Sequence, residues 1–303
     1  LTIGGRYTNY EQEEQSYRLL ADGTRGPTTS FFAPIYSEHA LIPSAALTYE
    51  ISPRWNAYAS YAQTFKPQTG LLKAPEPGVP LDPITGDGYE VGVKGEVFDG
   101  LNTSIAVYSV KRIGEGLEDP AYGINYGAGG SSCCYIDNGD ITMQGVDFEL
   151  SGVVTRDWQL FAGYTYARQK LGSTSGDTDA AMSFNFSPKH LFKMWTTWRL
   201  PGALSDWTFN AGVVTQSEIL VLGSATVFNS SGVATGFVPF RYTQGGYSLW
   251  NASVQYRLSE RWSAALYADN IFDKTYYAAL NSSTGGNIYG EPRNLTLRLQ
   301  AKF

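Results

Sequence analysis

The chain has 303 residues, with 22 Lys plus Arg against 28 Asp plus Glu and a net charge of −6. Charged residues make up 17%, aromatic residues 14% and Gly 33 of 303, whereas soluble domains carry roughly 25% charge and about 7% Gly. The acidic balance leaves no basic face for phosphate and excludes a nucleic-acid partner. No apolar run approaches the ~18 residues of a transmembrane helix. The aromatic content argues against disorder, and the Gly, Ser, Thr and Tyr content against a helical bundle. A large all-β protein remains.

Along the chain, apolar and polar residues alternate with period 2, which sends them to opposite faces of a strand. Val91, Val93 and Val97 oppose Glu90, Lys94 and Glu96. Val146, Phe148 and Leu150 oppose Asp147, Glu149 and Ser151, and Phe209, Ala211 and Val213 oppose Thr208, Asn210 and Gly212. Trp250 to Leu258 and Leu295 to Phe303 repeat the pattern. About twelve strands are predicted, near 1–14, 41–52, 55–65, 88–98, 101–113, 142–154, 158–170, 190–200, 207–217, 248–258, 262–272 and 292–303. Each is near the ~9–11 residues that cross a bilayer at a tilt.

The connections alternate strictly between tight and long. Ser52-Pro53-Arg54, Phe98-Asp99-Gly100, Thr155-Arg156-Asp157, Pro201 to Asp206 and Ser259-Glu260-Arg261 are tight. The segments 15–40, 66–87, 114–141, 171–189, 218–247 and 273–291 run to roughly 17–30 residues, lengths that compact domains seldom use. Short periplasmic turns and long extracellular loops are the pattern of a transmembrane antiparallel β-barrel. Trp55, Trp158, Trp207 and Trp262 each follow a tight turn, which places an aromatic girdle at the periplasmic interface.

Cys133 and Cys134 are adjacent, unlike the spaced cysteines of zinc or iron–sulfur sites. They lie in a Gly-rich loop, where a vicinal disulfide would form a strained tight turn presenting Tyr135; a cysteine outside this chain is the alternative partner. Two His, His39 and His190, cannot build a His-rich metal site. An outer-membrane hydrolase would need a His on a membrane-facing strand beside a Ser, and both fall near loop–strand borders.

Several segments carry a family resemblance. Asp269-Asn270-Ile271-Phe272-Asp273-Lys274-Thr275-Tyr276-Tyr277 resembles a segment near the C-terminus of TonB-dependent outer-membrane receptors. Tyr289-Gly290-Glu291-Pro292-Arg293-Asn294, before a last strand ending in Phe303, is similar to their final loop and strand. Ser60 to Gln68, Tyr89 to Glu96, Gln144 to Leu150, Gly163 to Tyr166 and Pro188 to His190 resemble the ferric-siderophore branch, in particular coprogen and pyoverdine receptors. The resemblance spans nearly the whole chain, with the motifs in order.

It implies that residues 1–303 are the C-terminal portion of a 22-stranded barrel, with the N-terminal plug, the TonB box and the first barrel strands missing. It implies uptake of a ferric siderophore across the bacterial outer membrane, energised by the TonB–ExbB–ExbD complex through the missing plug. Outer-membrane lipids and the barrel assembly machinery are the other implied partners. The ligand carries Fe3+, and no resident cofactor or direct metal ligand is expected. Reaction chemistry is not expected; the alternative is a complete twelve-strand passive channel or autotransporter-type pore.

The candidate ligand contacts are loop aromatics, which offer broad apolar area and a polar tip. They are Tyr122, Tyr126 and Tyr135 in the third long loop, Phe237, Phe240 and Tyr242 in the fifth, and Tyr276, Tyr277 and Tyr289 around the sixth. Arg293 either attracts anionic ligand groups or pairs with Glu291 or another carboxylate. Glu90, Lys94, Glu96, Asp147 and Glu149 are expected to line a hydrated lumen as mutual ion pairs, or to contact the plug.

Overall fold

The computed structural model describes residues 1–30, 36–75, 78–119, 134–173, 184–185, 187–280 and 286–302. Twelve strands form one antiparallel sheet: β1 (Thr2–Gln12), β2 (Tyr36–Ser52), β3 (Trp55–Leu72), β4 (Pro80–Phe98), β5 (Leu101–Glu118), β6 (Tyr135–Thr155), β7 (Trp158–Ser173), β8 (His190–Arg199), β9 (Trp207–Gln216), β10 (Tyr247–Arg257), β11 (Trp262–Asp269) and β12 (Asn294–Ala301). Each pairs with its neighbours in chain order. No described helix is long and apolar enough to cross a membrane, which says nothing of strands.

The register sorts the side chains into two faces. Tyr49, Ala57, Val93, Ile105, Phe148, Tyr164 and Phe192 stand opposite one another across seven strands. One residue along, the opposite face carries Glu50, Asn56, Lys94, Ser104, Glu149, Gly163 and Lys193. An apolar belt backed by a polar face is what lipid outside and water inside select. Trp55, Trp158, Trp207 and Trp262 open their strands directly after the tight turns, on the apolar face. Trp207 packs on Tyr256 at 4.5 Å, and the Trp158 indole N–H donates to Thr196 Oγ1 at 2.7 Å. Neighbouring turns are tied by Arg54–Asp99 and Arg257–Asp206, both at 2.6 Å, exposed pairs that add only tenths of a kcal/mol.

The polar face is held by hydrogen bonds where mutual ion pairs were expected. The Tyr58 hydroxyl donates to Glu90 at 2.6 Å, and Thr165 to Asp147 at 2.6 Å. Lys94 sits over the Tyr58 ring at 5.6 Å, while Glu96 meets Arg54 at 3.9 Å. Tyr58 lies flat across Gly92, where an added Cβ would fall 2.7 Å from its ring.

Several strands outrun the sequence reading. β3 to β6 have 18, 19, 18 and 21 residues, so most of 66–87 and parts of 114–141 are strand. At about 3.3 Å per residue they stand well clear of a ~30 Å hydrocarbon core. Above the belt both faces meet water, so the alternation fades while the backbone ladder continues. A small core closes there. Leu81 is fully buried, and Gln68 is 6% exposed, donating to the carbonyls of Asp82 (2.7 Å) and Gly114 (2.6 Å) and accepting from the Gly116 N–H (3.0 Å).

Tyr36 packs edge-on against Tyr10 in the same extracellular layer, and burial pushes its phenol up to about 12. Because the folded value is raised, this contribution to stability is complete below pH 10 and is lost as pH rises towards 12. Alkaline titration followed by tyrosinate absorbance should show Tyr36 ionising late and the Tyr10–Tyr36 contact opening with it. An absorbance profile unchanged in Tyr36→Phe would contradict this.

Among the described residues no ladder joins β1 to β12, so the sheet is open, with an edge at each end. This differs from the twelve-strand closed pore kept as the alternative, since unpaired N–H and C=O groups are not tolerated in lipid.

Candidate functional site

Two extracellular segments converge above β10 to β12. The first is a hairpin, Ile219–Phe228 paired with Ala234–Gln244. The second is the final loop, where Tyr277–Ala279 pairs with Ile288–Tyr289. Between them lies an open cleft of about 260 Å³, lined by Tyr242, Gln244, Tyr247, Lys274, Tyr276, Tyr277 and Tyr289.

Ring packing builds the cleft. Tyr277 and Tyr289 stack at 4.4 Å with hydroxyls 3.0 Å apart in a hydrogen bond. That bond holds the Tyr289 phenol above its ordinary pKa. Tyr242 meets Tyr277 edge-on at 6.2 Å, and Tyr247 lies 4.8 Å from Tyr276. Tyr276 covers Gly290, where any Cβ would fall inside the ring.

A turn beneath fixes the final loop. Asn270 is 5% exposed and adopts a left-handed φ of 46°. Its Nδ2 donates to the carbonyls of Lys274 (2.9 Å) and Glu291 (3.0 Å), and its Oδ1 accepts from the Lys274 N–H (2.8 Å). Its own N–H donates to Asn251 Oδ1 at 2.8 Å. This turn is why β11 stops at Asp269 rather than running to 272. Asp273, at φ 51°, accepts the Arg293 N–H at 3.0 Å, and the Arg293 guanidinium is 4.0 Å from its carboxylate. Arg293 therefore faces Asp273, not Glu291.

Of the expected contacts, Tyr242, Tyr276, Tyr277 and Tyr289 come together. Phe240 lies farther up the same hairpin, opposite Gly223. The Phe237 backbone pairs with Thr226, and its side chain is outside the described residues. Tyr135 begins β6, opposite Glu118, with three wall strands between it and β10. Tyr122, Tyr126 and Cys133 lie outside the described residues, and with them the expected Cys133–Cys134 bond; Cys134 is 1% exposed. Sequence reasoning missed Tyr247, Gln244, Asn270 and Lys274 as parts of the site. Of these, Asn270 and Lys274 carried a signal, within the Asp269 to Tyr277 segment. His190 does not form a hydrolase pair: its Nδ1 bonds the Tyr164 hydroxyl at 2.8 Å, and Ser217 Oγ accepts its backbone N–H instead.

The cleft thus offers aromatic faces, phenol hydroxyls and the Lys274 ammonium, groups that grip a bulky ligand by stacking and hydrogen bonding. The family described as TonB dependent receptor-like, beta-barrel matches residues 1–271. The chain belongs to that family. The ferric-pyoverdine M114 receptor PbuA of Pseudomonas sp. (strain M114) is 32% identical over 305 residues, covering 100% of this chain and 34% of that protein. The ferric-pyoverdine 358 receptor of Pseudomonas putida is 33% identical over 306 residues, covering 100% and 33%. Among solved structures, the ferripyoverdine receptor of the Pseudomonas aeruginosa outer membrane bound to ferripyoverdine aligns with a TM-score of 0.75 at 26% identity, covering 99% of this chain and 36% of that one. The chain spans about a third of the length of the curated relatives it matches.

As receptor barrel, the sheet is a wall of the bacterial outer membrane, with its tight turns periplasmic and its long loops extracellular. The family is one of transport receptors.

Proposed function

We propose that this chain forms part of the wall and the extracellular ligand site of a ferric-siderophore uptake receptor. The observation that carries the reading is the tyrosine cleft on a TonB-dependent receptor barrel. Its rings hold a ligand whose Fe3+ is already chelated, so the protein supplies no iron ligand, resident cofactor or reaction chemistry. The names of these two relatives favour a pyoverdine-type chelate. Both open edges of the sheet call for further strands to complete the barrel around a plug, because lipid leaves no water to satisfy an edge. Transport then draws on TonB–ExbB–ExbD acting on that plug.

The test is uptake of 55Fe-labelled ferric pyoverdine by cells carrying the receptor. Uptake is expected to need both the receptor and a working TonB, and uptake that persists without TonB contradicts the reading. Tyr277→Ala and Tyr289→Ala each remove one half of the stack. Each is expected to weaken binding in native outer membranes about tenfold, the scale of losing one aromatic contact that the bound ligand covers.

A further inference from the structure

The hairpin Ile219–Gln244 leaves the wall through two short segments outside any ladder, Ser217–Glu218 and Gly245–Gly246. Gly245 has open space around it, while Gly246 lies against Gln216 and Ser217 of the other leg. The register places Val221, Ala225 and Val227 opposite Tyr242, Val238 and Gly236, which gives the hairpin one continuous apolar face. Val238 is 51% exposed and Tyr242 is 41% exposed on that face. Tyr242 carries it into the cleft, edge-on to Tyr277.

The last residue of the hairpin holds this arrangement. Gln244 Oε1 accepts the Tyr277 N–H at 2.6 Å, and Gln244 Nε2 donates to the Tyr277 carbonyl at 3.3 Å. One side-chain amide therefore occupies both backbone groups of a residue in a different loop. Tyr277 in turn pairs with Tyr289 through both backbone register and ring stacking. The hairpin base is thus tied to the final loop by the Gln244 amide, alongside the Tyr242–Tyr277 ring contact, while the Ile219 strand also pairs with Phe184–Asn185.

We infer that Gln244 is a positioning residue: it latches the hairpin so that the apolar face led by Tyr242 shares the cleft with Tyr277 and Tyr289, and the chelate is gripped by two loops together. The inference rests on the cleft being the ligand site. The contact lies outside the twelve-strand sheet, so wall stability does not depend on it.

The experiment compares Gln244→Leu, Gln244→Glu and Tyr277→Ala in native outer membranes, with 55Fe-labelled ferric pyoverdine as the probe. Gln244→Leu removes both bonds at similar volume and is expected to weaken binding about tenfold, mostly through faster release. Gln244→Glu keeps the acceptor for the Tyr277 N–H and is expected to stay within about threefold of the parent. Spin labels at Ser230 and Ile288 report the latch without ligand. Their distance distribution should be narrow in the parent and in Gln244→Glu, and broad in Gln244→Leu. An unbroadened distribution in Gln244→Leu overturns the latch, whatever the binding result. Parent-like binding by Gln244→Leu alongside weak binding by Tyr277→Ala overturns its role in gripping the ligand. Parent-like binding by Tyr277→Ala instead sinks the cleft reading, and the ligand half of this inference with it.

Discussion

Asn270→Ala is expected to free the final extracellular loop while leaving the wall folded. The Asn270 side chain makes three hydrogen bonds, to Lys274 at two atoms and to Glu291, from a site only 5% exposed. Removing it loses three hydrogen bonds to backbone groups of Lys274 and Glu291, two exposed residues, at about 0.5–1 kcal/mol net for each bond. Alanine at a φ of 46° adds about 1 kcal/mol more. A net local loss of about 3 kcal/mol corresponds to a roughly hundredfold rise in opening of the loop. Hydrogen exchange over residues 270–293 measures it. Asn270→Gly keeps the backbone conformation and loses the bonds, so it should recover only the last increment. Exchange in Asn270→Ala equal to the parent would show that the turn is held by something else. Because Tyr276 and Tyr277 leave this turn directly, siderophore binding should weaken along with it.

Ile105→Arg should destabilise the receptor by about 2–4 kcal/mol, the depth-dependent cost of a cation on the lipid face of a barrel. Ile105 lies within the apolar row between Val93 and Phe148. Its chain neighbour Ser104 points the other way, between Lys94 and Glu149. Ser104→Arg therefore meets water and a nearby carboxylate, and should change stability by under about 1 kcal/mol. Guanidinium unfolding of the receptor in lipid vesicles compares the two. Equal effects would mean that the two faces are not lipid and water. The contrast is sharp because one step along a strand reverses the solvent.

The wall was legible because lipid imposes a pattern that a single sequence displays. Val91 and Val93 against Glu90 and Lys94 announce two faces, and the Trp after four of the five tight turns marks one membrane surface. The loop structure was not legible, for the reciprocal reason. Gln68 and the 66–87 region read as loop because, above the bilayer, water on both faces erases the alternation that reveals a strand. Gln244 and Tyr247 carried no local mark. Their roles come from partners at Tyr277 and Tyr276, about thirty residues farther along the chain.

Sequence alone therefore determined the class of the molecule, the strand count, the side of the membrane each turn faces and the family, since all of these follow from periodicity, turn spacing and ordered motifs. Tertiary structure alone decided which aromatics meet, that Arg293 faces Asp273, that Glu90 and Asp147 on the polar face are hydrogen-bonded rather than ion-paired, and that the twelve strands leave two edges open. Those are outcomes of register and loop convergence, where residues distant in the chain compete for the same few ångströms, and no local pattern encodes the winner.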